Sequence, residues 1–354
     1  MKFLNPMKKQ FILTASLLVL FVQLSFSQDN TKKFEPSGKA TATVFANYHY
    51  DFTKDVEKKS QFELLRTYFG YNYQLSEQFS TKVLFDVSYN ETVDKTAKAS
   101  SSYTAFLKLA SLQYKLNDKF TIEGGMIGTH IFDLQEKFYG YRYILETLQD
   151  KDKFNSSADL GVKATYSPVK FLEFHAGLWN GEGYKSIQDN FGVHRASIDV
   201  VVKPVEGLYF KTYYDFMSKR DTAITDQSKL QTQSVLNFFL GYEKKDRFRI
   251  GAEYDMLTNA KNLEDRNLGG ISVYGTYILK KFELFARYDQ LASNTLSGAT
   301  DPWNYSKDYS MILSGVQYAP VKGVKMALNF RHFTPRNSGL EQMNLLYLNF
   351  EYKF

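Results

Sequence analysis

Residues 247–256 alternate without a break. Phe248, Ile250, Ala252, Tyr254 and Met256 share one parity, and Arg249, Gly251, Glu253 and Asp255 share the other. Successive side chains of a strand point to opposite faces, so this segment predicts a strand with one apolar and one polar side. The pattern recurs. In 208–216, Leu208, Phe210, Thr212, Tyr214 and Phe216 oppose Tyr209, Lys211, Tyr213 and Asp215. In 282–289, Phe282, Leu284, Ala286 and Tyr288 oppose Glu283, Phe285, Arg287 and Asp289, and in 324–331, Val324, Met326, Leu328 and Phe330 oppose Lys325, Ala327, Asn329 and Arg331. The chain closes the same way, with Leu346, Leu348, Phe350, Tyr352 and Phe354 against Asn349, Glu351 and Lys353. Alternation is poor over 102–116, where Lys108 breaks either assignment, and over 307–319.

Turn signals divide the chain into predicted strands at 39–52, 61–75, 79–92, 102–116, 120–129, 157–167, 171–181, 192–203, 207–218, 232–244, 247–258, 269–280, 282–291, 307–319, 323–334 and 342–354. An apolar face opposite a polar one suits a wall between hydrocarbon and a wet lumen, and an even strand count suits a single-chain barrel. Short turns alternate with longer polar loops. Aromatics flank the short ones (Tyr73 and Phe79, Tyr114 and Phe120, Tyr166 and Phe171, Tyr242 and Phe248, Tyr277 and Phe282), as an interfacial girdle requires. The expected fold is therefore all-β: one transmembrane antiparallel β-barrel of about 16 strands over 39–354, with both ends on the short-turn, periplasmic side. A soluble β-propeller also repeats near forty residues, but each blade needs four strands where two long ones fit here.

The N-terminus sets the compartment. Lys8 and Lys9 precede an apolar run from Phe11 to Val22, which ends on Ser25-Phe26-Ser27. That order predicts a secretory leader over 1–27, cleaved before Gln28, followed by a periplasmic segment over 28–38. The apolar run is short for a spanning helix, which needs about 20 residues. The whole chain carries +6; without the three leader lysines it carries about +3, too little for the dense basic patch of a nucleic-acid binder. There is no cysteine, so disulfides and thiol chemistry are excluded.

Inward parity selects candidate pore-lining charges. The basic set is Arg66, Lys82, Lys163, Arg195, Lys211, Arg249, Arg287, Lys325 and Arg331. The acidic set is Asp86, Glu123, Asp159, Glu173, Asp199, Asp215, Glu253, Asp255, Glu283, Asp289 and Glu351. Because the signs are mixed, most should pair across neighbouring strands. An anion preference would need Arg66, Arg142, Arg195, Arg249, Arg287 and Arg331 to cluster on one side of a constriction. The longest interruption, 130–156, is the third long loop. It reads as partly helical, over 132–138 and again over 141–148, and its apolar content argues against full exposure. Its charged residues Asp133, Glu136, Lys137, Arg142 and Glu146 are candidates for a constriction. The five histidines, His49, His130, His175, His194 and His332, show no metal-binding spacing such as HExxH, and no GxSxG elbow is present. No catalysis, metal or cofactor is expected.

Tyr141-Arg142-Tyr143-Ile144, Asp159-Leu160-Gly161-Val162 and Trp179-Asn180-Gly181-Glu182-Gly183-Tyr184 together resemble bacterial outer-membrane porins of the phosphate-selective class, and the leader ending Ser-Phe-Ser-Gln is similar to those of Bacteroidota-type bacteria. The resemblance implies an outer-membrane location and passive diffusion of small hydrophilic solutes or ions, with anions such as phosphate as candidates. It also implies a third loop folded into the barrel, as in general porins. The terminal Phe354 resembles the signal read by the outer-membrane assembly machinery. Outer-membrane lipid is the implied surrounding, and sixteen-stranded porins are often homotrimers. The alternative function is a barrel plugged by its long loop and used for binding, adhesion or structure.

Overall fold

The computed structural model describes residues 34–55, 57, 59–89, 103–188, 192–219 and 229–354. The expected leader and most of the 28–38 segment lie outside the described residues. Sixteen strands follow in chain order: β1 Ser37–Asp51, β2 Lys59–Gln74, β3 Phe79–Tyr89, β4 Tyr103–Asn117, β5 Phe120–Gly128, β6 Ala158–Val169, β7 Leu172–Trp179, β8 Arg195–Val202, β9 Leu208–Met217, β10 Gln233–Lys244, β11 Phe248–Thr258, β12 Leu268–Leu279, β13 Phe282–Ser293, β14 Tyr309–Tyr318, β15 Val324–Pro335 and β16 Met343–Lys353. Each strand pairs with its sequence neighbour, and β1 pairs antiparallel with β16, so the sheet closes into a barrel without edges. Every strand lies within three residues of its expected bounds.

The alternation sorts side chains as the sequence predicts. On β13, Phe282, Leu284 and Tyr288 are exposed on the outer face, while Arg287 and Asp289 are buried on the inner one. The same division on β9 exposes Phe210, Tyr214 and Phe216 and buries Lys211 and Asp215. At the short-turn rim, aromatics meet across the register: Phe79 pairs with Tyr114 at 4.7 Å between ring centroids and Phe282 with Tyr318 at 4.8 Å. Such an outer band is stable only in hydrocarbon. Leu240, outward in the middle of β10 between Ala252 and Phe210, tests this. Leu240→Arg should cost ~2–4 kcal/mol of barrel stability, and it should lower the temperature at which the folded band is lost on a heat-modifiability gel.

The two segments of poor alternation have separate causes. Leu84 pairs with Leu109 and Phe85 with Leu107, so Lys108 is the extra residue of a β-bulge. The bulge puts Lys108 beside Tyr68, with Nζ 5.0 Å from the ring centroid. In 309–318 the parity itself holds, but the inward residues Met311 and Leu313 are apolar and fully buried. They face the third loop rather than water.

That loop enters the barrel. It contains α1 Asp133–Tyr139 and α2 Leu148–Lys151. α1 matches the first expected helix. The second expected helix, over 141–148, is absent; a turn takes its place, and the helix begins only at Leu148. A helix would spread neighbouring side chains around its axis. Here Tyr141 and Tyr143 both reach the wall, donating to Glu283 and Gln317, which are cross-strand partners on β13 and β14. Tertiary contacts override helix propensity in this stretch. The main apolar core therefore sits inside the barrel. Phe138, Tyr139, Tyr141, Tyr143, Ile144, Leu148 and Phe154 of the loop pack on inward Tyr213, Phe239, Tyr274, Phe285, Met311 and Leu313. Each such side chain contributes ~1.5–3 kcal/mol on burial. Gly270 on β12 makes room for this contact, since a Cβ there would stand 2.4 Å from Leu148 Cδ2.

Candidate functional site

The wall charges divide into two groups according to what the loop covers. Beneath the loop they anchor it. Lys211 donates to the carbonyl of His130 and, at 3.2 Å each, to the Ile131 carbonyl and the Asp133 carboxylate. Arg287 is ion-paired to Asp289 at 2.6 Å and donates to the Glu146 carbonyl at 2.6 Å. Arg331 donates to the Ile144 carbonyl at 2.7 Å and lies 3.7 Å over the Tyr347 ring. Gln149 of the loop donates to Asp255 at 2.6 Å and stands 3.4 Å from Glu253. Arg249 pairs with Glu283 at 3.0 Å and stacks over Tyr141, and Arg195 is buried against Asp215. Arg195, Lys211, Glu253, Arg287, Asp289 and Arg331 are thus inward, as expected, but almost fully buried. Five of the six arginines that an anion preference would draw on are spoken for by carboxylates, and Arg331 by carbonyl and amide oxygens; Arg66, Arg142 and Arg331 border one opening between wall and loop.

A series of openings lies mainly between the wall of β1 to β6 and the long loops, with two of them reaching β8 to β10 or β15 and β16. A vestibule of about 490 Å³ near the short turns meets Lys39, Lys82 and Glu123. Lys163 ion-pairs with Glu123 directly across the ladder at 3.0 Å, and with Lys108, Asp133 and Glu136 it lines a space of about 180 Å³. A third space, about 160 Å³, lies between Arg66 on the wall and Arg142 and Glu146 on the loop. A fourth, about 470 Å³, again meets Arg66, together with Asp150, Lys153 and Lys185. Both signs come from both sides: the wall supplies Lys39, Lys82, Lys108, Lys163 and Arg66 with Glu63 and Glu123, and the loops supply Glu136, Glu146 and Asp150 with Arg142, Lys153 and Lys185.

Arg142 organises the loop side. Its guanidinium contacts Glu136 at 3.0 Å, Glu146 at 3.1 Å and Asp150 at 3.0 Å. Burial alone would push the Glu146 carboxyl up, but Arg142 and Arg66 outweigh it and hold it at about 2. Burial likewise works against ionised Asp133, and Lys211, His130 and Lys137 overcome it, leaving that carboxyl below its ordinary range. Lys137 is exposed. Among the described residues, no carboxylate lies within ion-pair reach of Lys82, Lys108 or Lys137, and the charges around Lys82 are Glu123, Lys108 and Lys137.

The segment Trp179–Tyr184 forms the start of the fourth long loop and latches it across the mouth. The Gly181 amide donates to Asp159 at 2.6 Å from a left-handed backbone (φ +103°), which favours glycine. Tyr184 then reaches β3, donating to Asp86 at 2.6 Å, while Arg66 holds the other Asp86 oxygen at 3.1 Å. Arg66, Lys82 and Glu123, which parity turns inward, border the openings, whereas Asp86, also inward, is fully buried under Tyr184 and Arg66. Parity missed Lys108, because a bulge shifts the register, and it missed Asp150 and Tyr184, because loop residues carry no parity.

No protein-family model matches the chain, and no curated protein matches it. Solved structures do. The chain is similar to OmpF of Salmonella typhi, solved in complex with daunomycin, at 14% identity over 90% of this chain and 97% of that one, with a TM-score of 0.66. It is similar to the outer membrane channel DcaP of Acinetobacter baumannii at 12% identity over 93% and 100%, TM-score 0.63. It is also similar to the trimer form of in-vitro folded OmpT, an outer membrane protein of Vibrio cholerae, at 16% identity over 90% and 100%, TM-score 0.54. At these identities the likeness is one of fold: the chain has the closed barrel of solved outer-membrane proteins.

Proposed function

We propose that this chain is an outer-membrane porin, a water-filled channel through which small hydrophilic solutes and ions diffuse with no chemical step. The observation that carries the reading is the series of openings, mainly between the wall of β1 to β6 and the long loops, that remains while the third loop packs against the opposite wall. A barrel of 16 strands is wide enough for a loop and a passage together. DcaP, with the same fold, is an outer membrane channel. The trimer form of the Vibrio protein supports a homotrimer here. The competing reading is a plugged barrel with a binding or adhesive role, and the depth of the loop's seat is what favours it. Liposome swelling separates the two. Proteoliposomes should swell in small sugars at rates that fall with sugar size; swelling no faster than in empty liposomes would sink the channel reading.

Anions are the favoured ions, because Lys82 and Lys108 border the openings without a carboxylate in ion-pair reach, while the loop carboxylates share Arg142. The sequence likeness to phosphate-selective porins makes phosphate the first anion to test. Lys82→Glu combined with Lys108→Glu should move the zero-current potential in a salt gradient towards cations and cut anion permeability severalfold, with conductance little changed. An unmoved potential would remove these lysines from the selectivity account.

A further inference from the structure

His130 stands at the foot of the third loop, two residues beyond β5, and its backbone is left-handed (φ +63°). His175 lies within β7, and its cross-strand partner on β8 is Asp199. The two imidazole centroids are 4.0 Å apart. A nitrogen from each ring and an oxygen of Asp199 fall within 4.8 Å of one another. Small rotamer changes bring such a set to the ~2.0–2.2 Å of imidazole and carboxylate bonds to a metal.

One alternative is that His175 is a charged clamp between carboxylates, since Nδ1 is 2.8 Å from Asp199 and Nε2 is 3.2 Å from Glu173. That accounts for neither of two observations. A second imidazole lies against the first, and Asp199 Oδ2 is buried without a hydrogen-bond partner. A buried carboxylate oxygen without a partner needs an explanation, and a bound cation supplies one. The surroundings include Asp133, 3.8 Å from His130, and Glu173, against the ammoniums of Lys163 and Lys211. With Asp199 that makes three carboxylates to two ammoniums, a net negative pocket. His130 and Asp133 border the space of about 180 Å³ that also meets Lys108 and Glu136, which gives an ion a way in.

We propose that His130, His175 and Asp199 bind a divalent transition-metal ion and thereby tie the foot of the third loop to β7 and β8. Imidazole ligands select ions such as Zn²⁺, Ni²⁺ and Co²⁺ over the hard cations Mg²⁺ and Ca²⁺. The test uses the untagged, chelator-stripped, detergent-folded chain titrated with Co²⁺. Visible d–d absorption should develop, saturate at one ion per chain, and be displaced by Zn²⁺ but not by excess Mg²⁺. His130→Ala and Asp199→Asn, checked for folding by heat-modified gel mobility, should lose the band. If either variant fails to fold, carbethoxylation of the parent decides: Zn²⁺ should protect His130 and His175 and leave His194 and His332 as reactive as before. No absorption in the folded parent, a band retained in folded His130→Ala, or labelling of His130 and His175 unchanged by Zn²⁺ would each overturn the proposal.

Discussion

Replacing residues 133–152 by a short Gly-Ser link should raise single-channel conductance severalfold and admit larger sugars in liposome swelling. Gly128 and Ala158 are directly opposite on β5 and β6, so a short link can close this hairpin. None of the barrel's ladders runs through the loop, and the closing pair β1–β16 is remote from it in the sheet order. The barrel should therefore still assemble, with some loss of stability, because Phe239, Phe285, Met311 and Leu313 would face water instead of Phe138, Tyr141 and Leu148. Conductance at the parent level in the shortened protein would mean that the loop does not set the width of the passage.

Arg142→Gln should have the next largest effect. It leaves Glu136, Glu146 and Asp150 facing one another without their shared cation. Removing one partner from a buried ionic group costs ~3–5 kcal/mol. These carboxylates are partly solvated, so about 2–3 kcal/mol is the expected loss at the loop. The variant should show noisy, larger conductance at pH 7 and a shift towards cations. Its pH response should also be opposite in sign to simple acid damage. In the parent, Glu146 titrates at about 2 against an ordinary 4.5, so its contribution is complete above 4.5 and is lost as pH falls through about 2. The parent should thus be steady between pH 7 and pH 5. In the variant the carboxylates repel one another, and lowering the pH from 7 to 4 neutralises part of that charge and should quieten the channel. A variant equally noisy at pH 4 and pH 7 would rule out carboxylate repulsion as the cause.

The barrel was legible because lipid and lumen impose a period of two on every strand, and a single misplaced charge costs kilocalories. The same rule turned its apparent failures into information. Lys108 broke parity because it occupies a bulge, and 307–319 looked irregular because Met311 and Leu313 point inward at a protein surface. The lumen was less legible. Parity says which side a charge faces, but not whether water or a loop meets it there. Arg331 and Ile144 are 187 residues apart in sequence, and Gln135 and Asn237 are 102 apart, so nothing local marks them as partners. The inward glycine Gly270, opposite Leu148, is the nearest thing to a sequence signal for the docking face. The helix expected over 141–148 failed for a related reason, since Tyr141 and Tyr143 both seat on the wall while Arg142 turns to the loop's own acids. His130, His175 and Asp199 converge from three separate segments, and no short motif could have grouped them.

The most direct test is to place the purified, heat-modifiable protein in a planar bilayer and record current under a salt gradient. Discrete, ohmic steps with a zero-current potential on the anion side are predicted. A folded protein that inserts and leaves the membrane electrically silent would show that the openings beside the third loop are not a passage.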